Sequence, residues 1–455
     1  MKPIFLFLIL LSICFFITAQ TANKWISLFD GNTLNSWKKG AGAADYKVEN
    51  GTIVGTTVVA SSNSFLITEK EFGNFVLELE AKIDDTTSNS GIQVRSHVDP
   101  AGNNGSGKVF GYQYELDPSA RKWTAGIYDE GRRDWLYPLS LNHAAQNAFK
   151  PGEYNKIKVE CFGNTIRTWI NGQPAAMLVD TVDKKGFIGL QVHAVNKPED
   201  AGKKVYFKNI RVMSITRPSA DFPTSIYVMN TIPNNLTAYE KKSGWKLLFD
   251  GKDSKGWRGA YKDHFPDTGW EVKNGLLTVL PSAGKEGGVG GDIVTTDQFS
   301  AFDLSFEFKM TPGANSGVKY FVTLKEHNEG SAIGLEYQVL DDKVHPDAKL
   351  GREGDRTLAS LYDLIPAQKQ ERFVHPVGQW NTGRIIVYPN NHVEHYLNGV
   401  KVLEYERGSA AYRDLVAISK YNIWDHFGEA PKGHILLQDH GTGVSFRSIK
   451  IRQLR

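Results

Sequence analysis

The chain carries its own plan twice. Trp25-Ile-Ser-Leu-Phe-Asp-Gly31 followed by Trp37 returns as Trp245-Lys-Leu-Leu-Phe-Asp-Gly251 followed by Trp257. Later landmarks keep their order: Asn50-Gly51 matches Asn274-Gly275, Asn89-Ser90-Gly91 matches Asn315-Ser316-Gly317, and Gly111 to Asp117 matches Gly334 to Leu340. Ile127-Tyr128-Asp129 answers Leu361-Tyr362-Asp363, Asn171-Gly172 answers Asn398-Gly399, and Gly186 to His193 answers Gly433 to His440. Any fold assignment must therefore work twice. The repeat divides the chain into 22–213 and 244–455, each the usual size of one domain. Between them, 214–243 carries Pro218, Pro223 and Pro233 and little periodicity, as a partly extended connector would.

Within each copy the pattern is strand after strand. Phe75 to Ile83, Tyr154 to Glu160 and Thr165 to Ile170 alternate apolar and polar residues, Asn-Gly pairs sit where hairpins would turn, and long helical periodicity is absent. Many short strands with Gly-rich turns predict an all-β fold, a two-sheet jelly roll in each copy.

One strand carries a chemical pattern. In Gly334-Leu-Glu-Tyr-Gln-Val-Leu-Asp-Asp342 the period of two sends Glu336 and Gln338 to one face and Leu335, Tyr337 and Val339 to the other. A strand that buries one side and offers a carboxylate and a carboxamide on the other can floor a ligand groove. An antiparallel sheet can equally show such residues to solvent.

The ends and the charge bound the rest. Lys2, the apolar run from Ile4 to Ile17 and Thr18-Ala19-Gln20 predict a secretory signal, residues 1–19, with export to the periplasm or the cell exterior. That run is short for a membrane span. Cys161 would then be the one cysteine of the mature chain, so no internal disulfide is expected. A net charge of +3 with acids and bases interspersed argues against a nucleic-acid partner.

These residues carry a resemblance. Trp-x-x-Leu-Phe-Asp-Gly with its later Trp, Asn-Ser-Gly, Gly-Leu-Glu-Tyr-Gln-Val-Leu-Asp-Asp, Leu-Tyr-Asp-Leu-Ile-Pro, Gly-x-Trp-Asn, Leu-Asn-Gly-Val and Gly-His-Ile-x-Leu-Gln-Asp-His-Gly resemble the 3-keto-disaccharide hydrolase family. The match is specific over 243–455 and looser over 22–213. It implies two tandem concanavalin A-like jelly-roll β-sandwiches and an exported bacterial enzyme. It also implies a carbohydrate substrate, a glycoside oxidised at its 3-hydroxyl by a separate sugar 3-dehydrogenase. The chemistry follows from the ketone: it acidifies the hydrogen on carbon 2, a base removes that hydrogen, and the glycosidic oxygen leaves carbon 1 by elimination before water adds back. Such a site needs a base, a group to hold the enolate oxygen and an acid for the leaving group.

Glu336 leads as base or metal ligand, His440 as acid or electrophile, with Asp341 as a further catalytic candidate. Gln338, Gln438, Arg356, Lys420 and His345 are candidates for holding substrate. Each has a plainer reading as a solvated or structural side chain; Asp363 reads as a turn former, and Asn315-Ser-Gly317 reads as structural. A divalent metal is possible through Glu336, Gln338, Asp341, His345, His375 and His440, though no tight ligand spacing such as His-Glu-x-x-His is present. Trp123, Trp135 and Trp424 are candidates for stacking on sugars. The first copy has Gln113 where the second has Glu336, so catalysis is expected in the second copy, with glycan binding or another specificity in the first. The main alternative is a non-catalytic tandem lectin.

Overall fold

The computed structural model describes residues 24–84, 87–219, 221–282, 289–324 and 332–455. The segment read as a signal, 1–19, lies outside them. Each copy is a sandwich of two sheets, antiparallel except for one strand pair described below. In the first, a nine-stranded sheet built around Phe75–Ile83, Asn155–Phe162 and Lys204–Ser214 packs on a seven-stranded sheet built around Ser90–Asp99, Lys108–Leu116 and Phe187–Val192. In the second, an eight-stranded back sheet faces a five-stranded sheet. The strands of that smaller sheet run in the spatial order Trp257–Gly259, Ile293–Thr295, His434–Leu437, Asn315–Thr323, Ile333–Leu340. The jelly-roll expectation holds in both copies.

The alternation explains the cores. Leu335, Tyr337 and Val339 are fully buried against Phe302, Phe306 and Phe308 of the back sheet, and Tyr112, Tyr114 and Leu116 occupy the same places in the first copy. The Asn-Gly pairs turn the hairpins as expected: Asn50, Asn171, Asn274 and Asn398 and the glycines after them all hold positive φ, the signature of a type I′ turn.

The connector is extended in part and helical in part. Val228–Asn230 runs parallel to Met177–Val179 and adds an edge strand to the first copy, and Thr237 caps a short helix, Ala238–Lys242, through a reciprocal bond pair with Glu240. Tyr227 is buried against the second copy, its hydroxyl 3.0 Å from Ser305 and its ring 4.0 Å from the Arg384 guanidinium. Glu240, also buried, meets Lys450 at 2.6 Å. Elements of three and five residues are too short to leave a readable period, which is why the sequence shows little periodicity there. Among the described residues, no helix is long and apolar enough to cross a membrane.

Candidate active site

The five-stranded sheet of the second copy floors a cleft of about 1100 Å³. The pleat that buries Tyr337 turns Glu336 and Gln338 into it. The antiparallel register places Lys319 directly opposite Glu336, and Lys319 Nζ stands 3.9 Å from Glu336 Oε2 and 4.0 Å from Asp292 Oδ2. The floor is thus a line of carboxylate, ammonium and carboxylate. Gly317 makes room for it, because a Cβ there would fall 2.3 Å from Glu336 Oε1. Gln338, in the amide orientation that satisfies both its ends, donates to Glu336 Oε1 at 3.2 Å and to Ser316 O at 2.9 Å.

Burial sets the electrostatics. Glu336 is 4% exposed, and desolvation raises its pKa above the usual carboxylate value while Lys319 and Lys420 pull it back. Asp292 is raised for the same reason, with Lys319 and the Asp439 N–H opposing. Burial lowers Lys420, and Glu336 resists that change. Burial pushes each group toward its neutral form, and the opposite charges facing it pull the other way.

The walls come from loops. His345 caps the short helix Pro346–Lys349, its Nδ1 accepting from Asp347 N–H at 3.2 Å. Asp347 accepts from the Tyr362 hydroxyl at 2.9 Å. A long excursion between Glu406 and His434 delivers Lys420, Tyr421 and Trp424 to the rim. Gln438 and His440 enter from the end of His434–Leu437, and Gln438 Oε1 is buried with no protein partner.

Six of the eight sequence-selected residues therefore line this cleft: Glu336, Gln338, His345, Lys420, Gln438 and His440. The structure does not bring the other two there. Asp341 falls just past the end of its strand, where alternation stops, and its carboxylate accepts from the Gly313 N–H at 2.8 Å and the Lys343 N–H at 3.2 Å. Arg356 sits behind the wall, pairing with Asp363 at 2.6 Å and Asp347 at 3.1 Å; it positions the partner of Tyr362 and does not line the cleft. Of the three tryptophans, Trp424 lines the cleft, Trp123 is buried in the first core and Trp135 packs edge-on against it at 4.7 Å. Sequence reasoning missed Lys319 and Asp292. Lys319 follows Gly317 by two residues and so shares its face, but which strand pairs with Glu336 is a register fact that no single segment displays.

The metal-ligand set suggested by sequence is not assembled. Asp341 faces its own turn, and His375 Nδ1 bonds the Trp380 carbonyl at 2.7 Å, outside the cleft. Lys319 already supplies the positive charge between Glu336 and Asp292, so that pair does not fit a divalent cation as well. Elsewhere His392, Glu394 and Glu404 converge on the back sheet, yet Lys401 lies 3.2 Å from Glu394 and 2.6 Å from Glu404 and fills the cation's role there too.

The first copy keeps the frame and replaces the contents. Gln93 opposes Gln113 where Lys319 opposes Glu336, and the two amides bond at 2.6 Å. Gln113 donates to Glu115 at 2.8 Å, and Asn89 donates to the other oxygen at 2.6 Å. Phe65, facing Gln191 in register, takes the place of Asp292 and packs with Ala41, Ile67, Val109 and Phe187. Asn63 bridges Glu130 at 2.9 Å and the Ala194 N–H at 2.8 Å, and the excursion that carries Lys420 has no counterpart between Val179 and Phe187.

A family model described as the 3-keto-alpha-glucoside-1,2-lyase-like domain matches residues 24–213 and again 244–452. A curated relative from Bacteroides thetaiotaomicron, named 3-keto-disaccharide hydrolase, is 38% identical over 232 residues, 46% of this chain and 79% of its own length. A crystal structure from Parabacteroides distasonis ATCC 8503, described as a candidate glycosyl hydrolase, is 29% identical with a TM-score of 0.43, covering 49% of this chain and all of that one. Another from the same organism is 27% identical with a TM-score of 0.35, covering 46% and 99%.

Proposed function

The chain belongs to the family of 3-keto-alpha-glucoside-1,2-lyase-like domains, and from that premise we propose that its second copy cleaves 3-keto-glycosides by elimination across carbons 1 and 2. The observation that carries this reading is the carboxylate, ammonium and carboxylate line at the floor of the cleft, with Lys319 within 4.0 Å of both acids. Glu336 takes the proton from carbon 2. Its burial makes it a stronger base than an exposed glutamate, and Lys319 and Lys420 favour its ionised form. As the proton leaves, negative charge moves to the ketone oxygen, and an ammonium group beside the base, Lys319 or Lys420, holds that oxygen through a charge-assisted hydrogen bond. The electron pair then forms the bond between carbons 1 and 2 and expels the glycosidic oxygen, which His440 protonates. Gln338 and Gln438 fix ring hydroxyls. Water adds back across the double bond, giving net hydrolysis. No closely paired carboxylates of the ordinary glycosidase kind are needed.

The reading places this chain after an enzyme that oxidises a sugar 3-hydroxyl, and with residues 1–19 acting as a signal it places it outside the cytoplasm. Turnover in D₂O tests the chemistry. Elimination and readdition put one solvent deuterium at carbon 2 of the released keto-sugar, above the level of an enzyme-free control. Product that keeps its original hydrogen at carbon 2 would mean direct displacement at carbon 1 instead.

A further inference from the structure

The back sheets of the two copies carry the same aromatic seat, and in one of them it is filled. In the second copy the occupant is Tyr227 of the connector, with Arg384 at 4.0 Å over its ring, the Trp245 ring at 6.0 Å edge-on, Lys450 at 5.5 Å and Ser305 at its hydroxyl. Strand register fixes the counterparts. Arg384 lies opposite Ser305 and Tyr396, as Lys158 lies opposite Glu78 and Trp169; Lys450 lies opposite Ser305, as Arg211 lies opposite Glu78. Trp25 opens the strand that sets Ser27 opposite Arg211, as Trp245 precedes the strand that sets Leu247 opposite Lys450. These five first-copy residues, Trp25, Glu78, Lys158, Trp169 and Arg211, line an open groove of about 900 Å³.

We propose that this groove is a docking seat for a tyrosine carried on an extended segment of a partner polypeptide. The filled seat shows which chemistry fits. A polypeptide tyrosine fits better than a sugar because of what covers the indoles: Arg211 lies 4.4 Å from the Trp25 ring and Lys158 4.6 Å from the Trp169 ring. A sugar needs a bare aromatic face for its C–H groups, whereas a layer of cations attracts the negative face of another aromatic ring. Glu78, held by Arg211 at 2.6 Å, stands where Ser305 stands and accepts the phenol hydrogen. The connector cannot serve both seats, since Tyr227 is already buried in the second.

For that reason a free peptide of residues 224–231, Thr-Ser-Ile-Tyr-Val-Met-Asn-Thr, reports on the vacant seat when titrated into the full chain and followed by tryptophan fluorescence and calorimetry. We expect saturable binding with Kd at or below about 1 mM. It should weaken about tenfold or more when the peptide carries Tyr227→Ala, and equally when the protein carries Lys158→Glu. Glycoside cleavage by the variant should be unchanged. Arg211→Gln disrupts the seat from the other side and serves if Lys158→Glu does not fold. Absence of saturation, equal binding of the alanine peptide, or displacement of the peptide by a neutral hexasaccharide would each overturn the proposal.

Discussion

Burial lifts the pKa of Glu336 and depresses that of Lys420, and the two shifts act on the rate with opposite signs. A base must be ionised, so activity falls as pH drops through the raised Glu336 value, which lies above the ordinary 4.5. A cation that holds an enolate must be protonated, so activity also falls as pH rises through the lowered Lys420 value, below the ordinary 10.5. The kcat/KM profile is expected to be a narrowed bell. Lys319→Met should cost about a hundredfold or more and move the acid limb to higher pH, because Glu336 loses the ammonium that favours its charge. A loss of rate with an unmoved limb would make Lys319 a structural residue only. In the first copy, burial pushes Glu115 up to about 7 from 4.5. The folded state then holds this proton more tightly than the unfolded state does. Its stabilising effect is complete below pH 4.5 and is lost as pH rises through about 7. Glu115→Gln should leave stability at pH 4 near wild type and raise it at pH 8 by up to about 3 kcal/mol, measured by urea unfolding. Asn89 Oδ1, which is without a partner, can accept from the new amide. Residue types were legible in sequence where alternation fixed the face, as at Glu336 and Gln338. They were not legible where the chain leaves the strand, as at Asp341.

The strand Ile333–Leu340 and its neighbour Asn315–Thr323 make the site as a pair. The repeated Asn-Ser-Gly pattern reads as structural, and in the fold Gly317 lies within a strand and its missing side chain is the space that Glu336 occupies. Gly317→Ala is expected to force the carboxylate aside, lowering kcat/KM about a hundredfold at a stability cost of about 1–3 kcal/mol, read by kinetics and urea unfolding of the same sample. Retained activity would show that the carboxylate can move without consequence. Long alternating strands and Asn-Gly hairpins announce themselves because their period and φ requirements are local. The excursion that brings in Lys420, Tyr421 and Trp424 has no such signature. Its helix Ala410–Ala417 and the turn at Lys420–Ile423 gain their order from packing on the sandwich, with Tyr421 stacked on Phe427 at 3.9 Å.

Duplication gave the molecule two frames, and divergence has changed the side chains they hold. The same strand positions hold Asp292, Lys319 and Glu336 in one copy and Phe65, Gln93 and Gln113 in the other, so the first copy lacks that line of charges. The connector locks the two copies through Tyr227 and Glu240. The sequence foretold the duplication, since that rests on residue identity. It did not foretell that Lys319 faces Glu336 where Gln93 faces Gln113, because that depends on which side chains meet across strands. The central claim is that one carboxylate, in the second copy alone, performs the proton abstraction. Steady-state turnover of a 3-keto-disaccharide by the full chain carrying Glu336→Gln tests it. The account predicts a loss of about a thousandfold or more with folding intact, and a variant that kept a tenth or more of wild-type activity would contradict it.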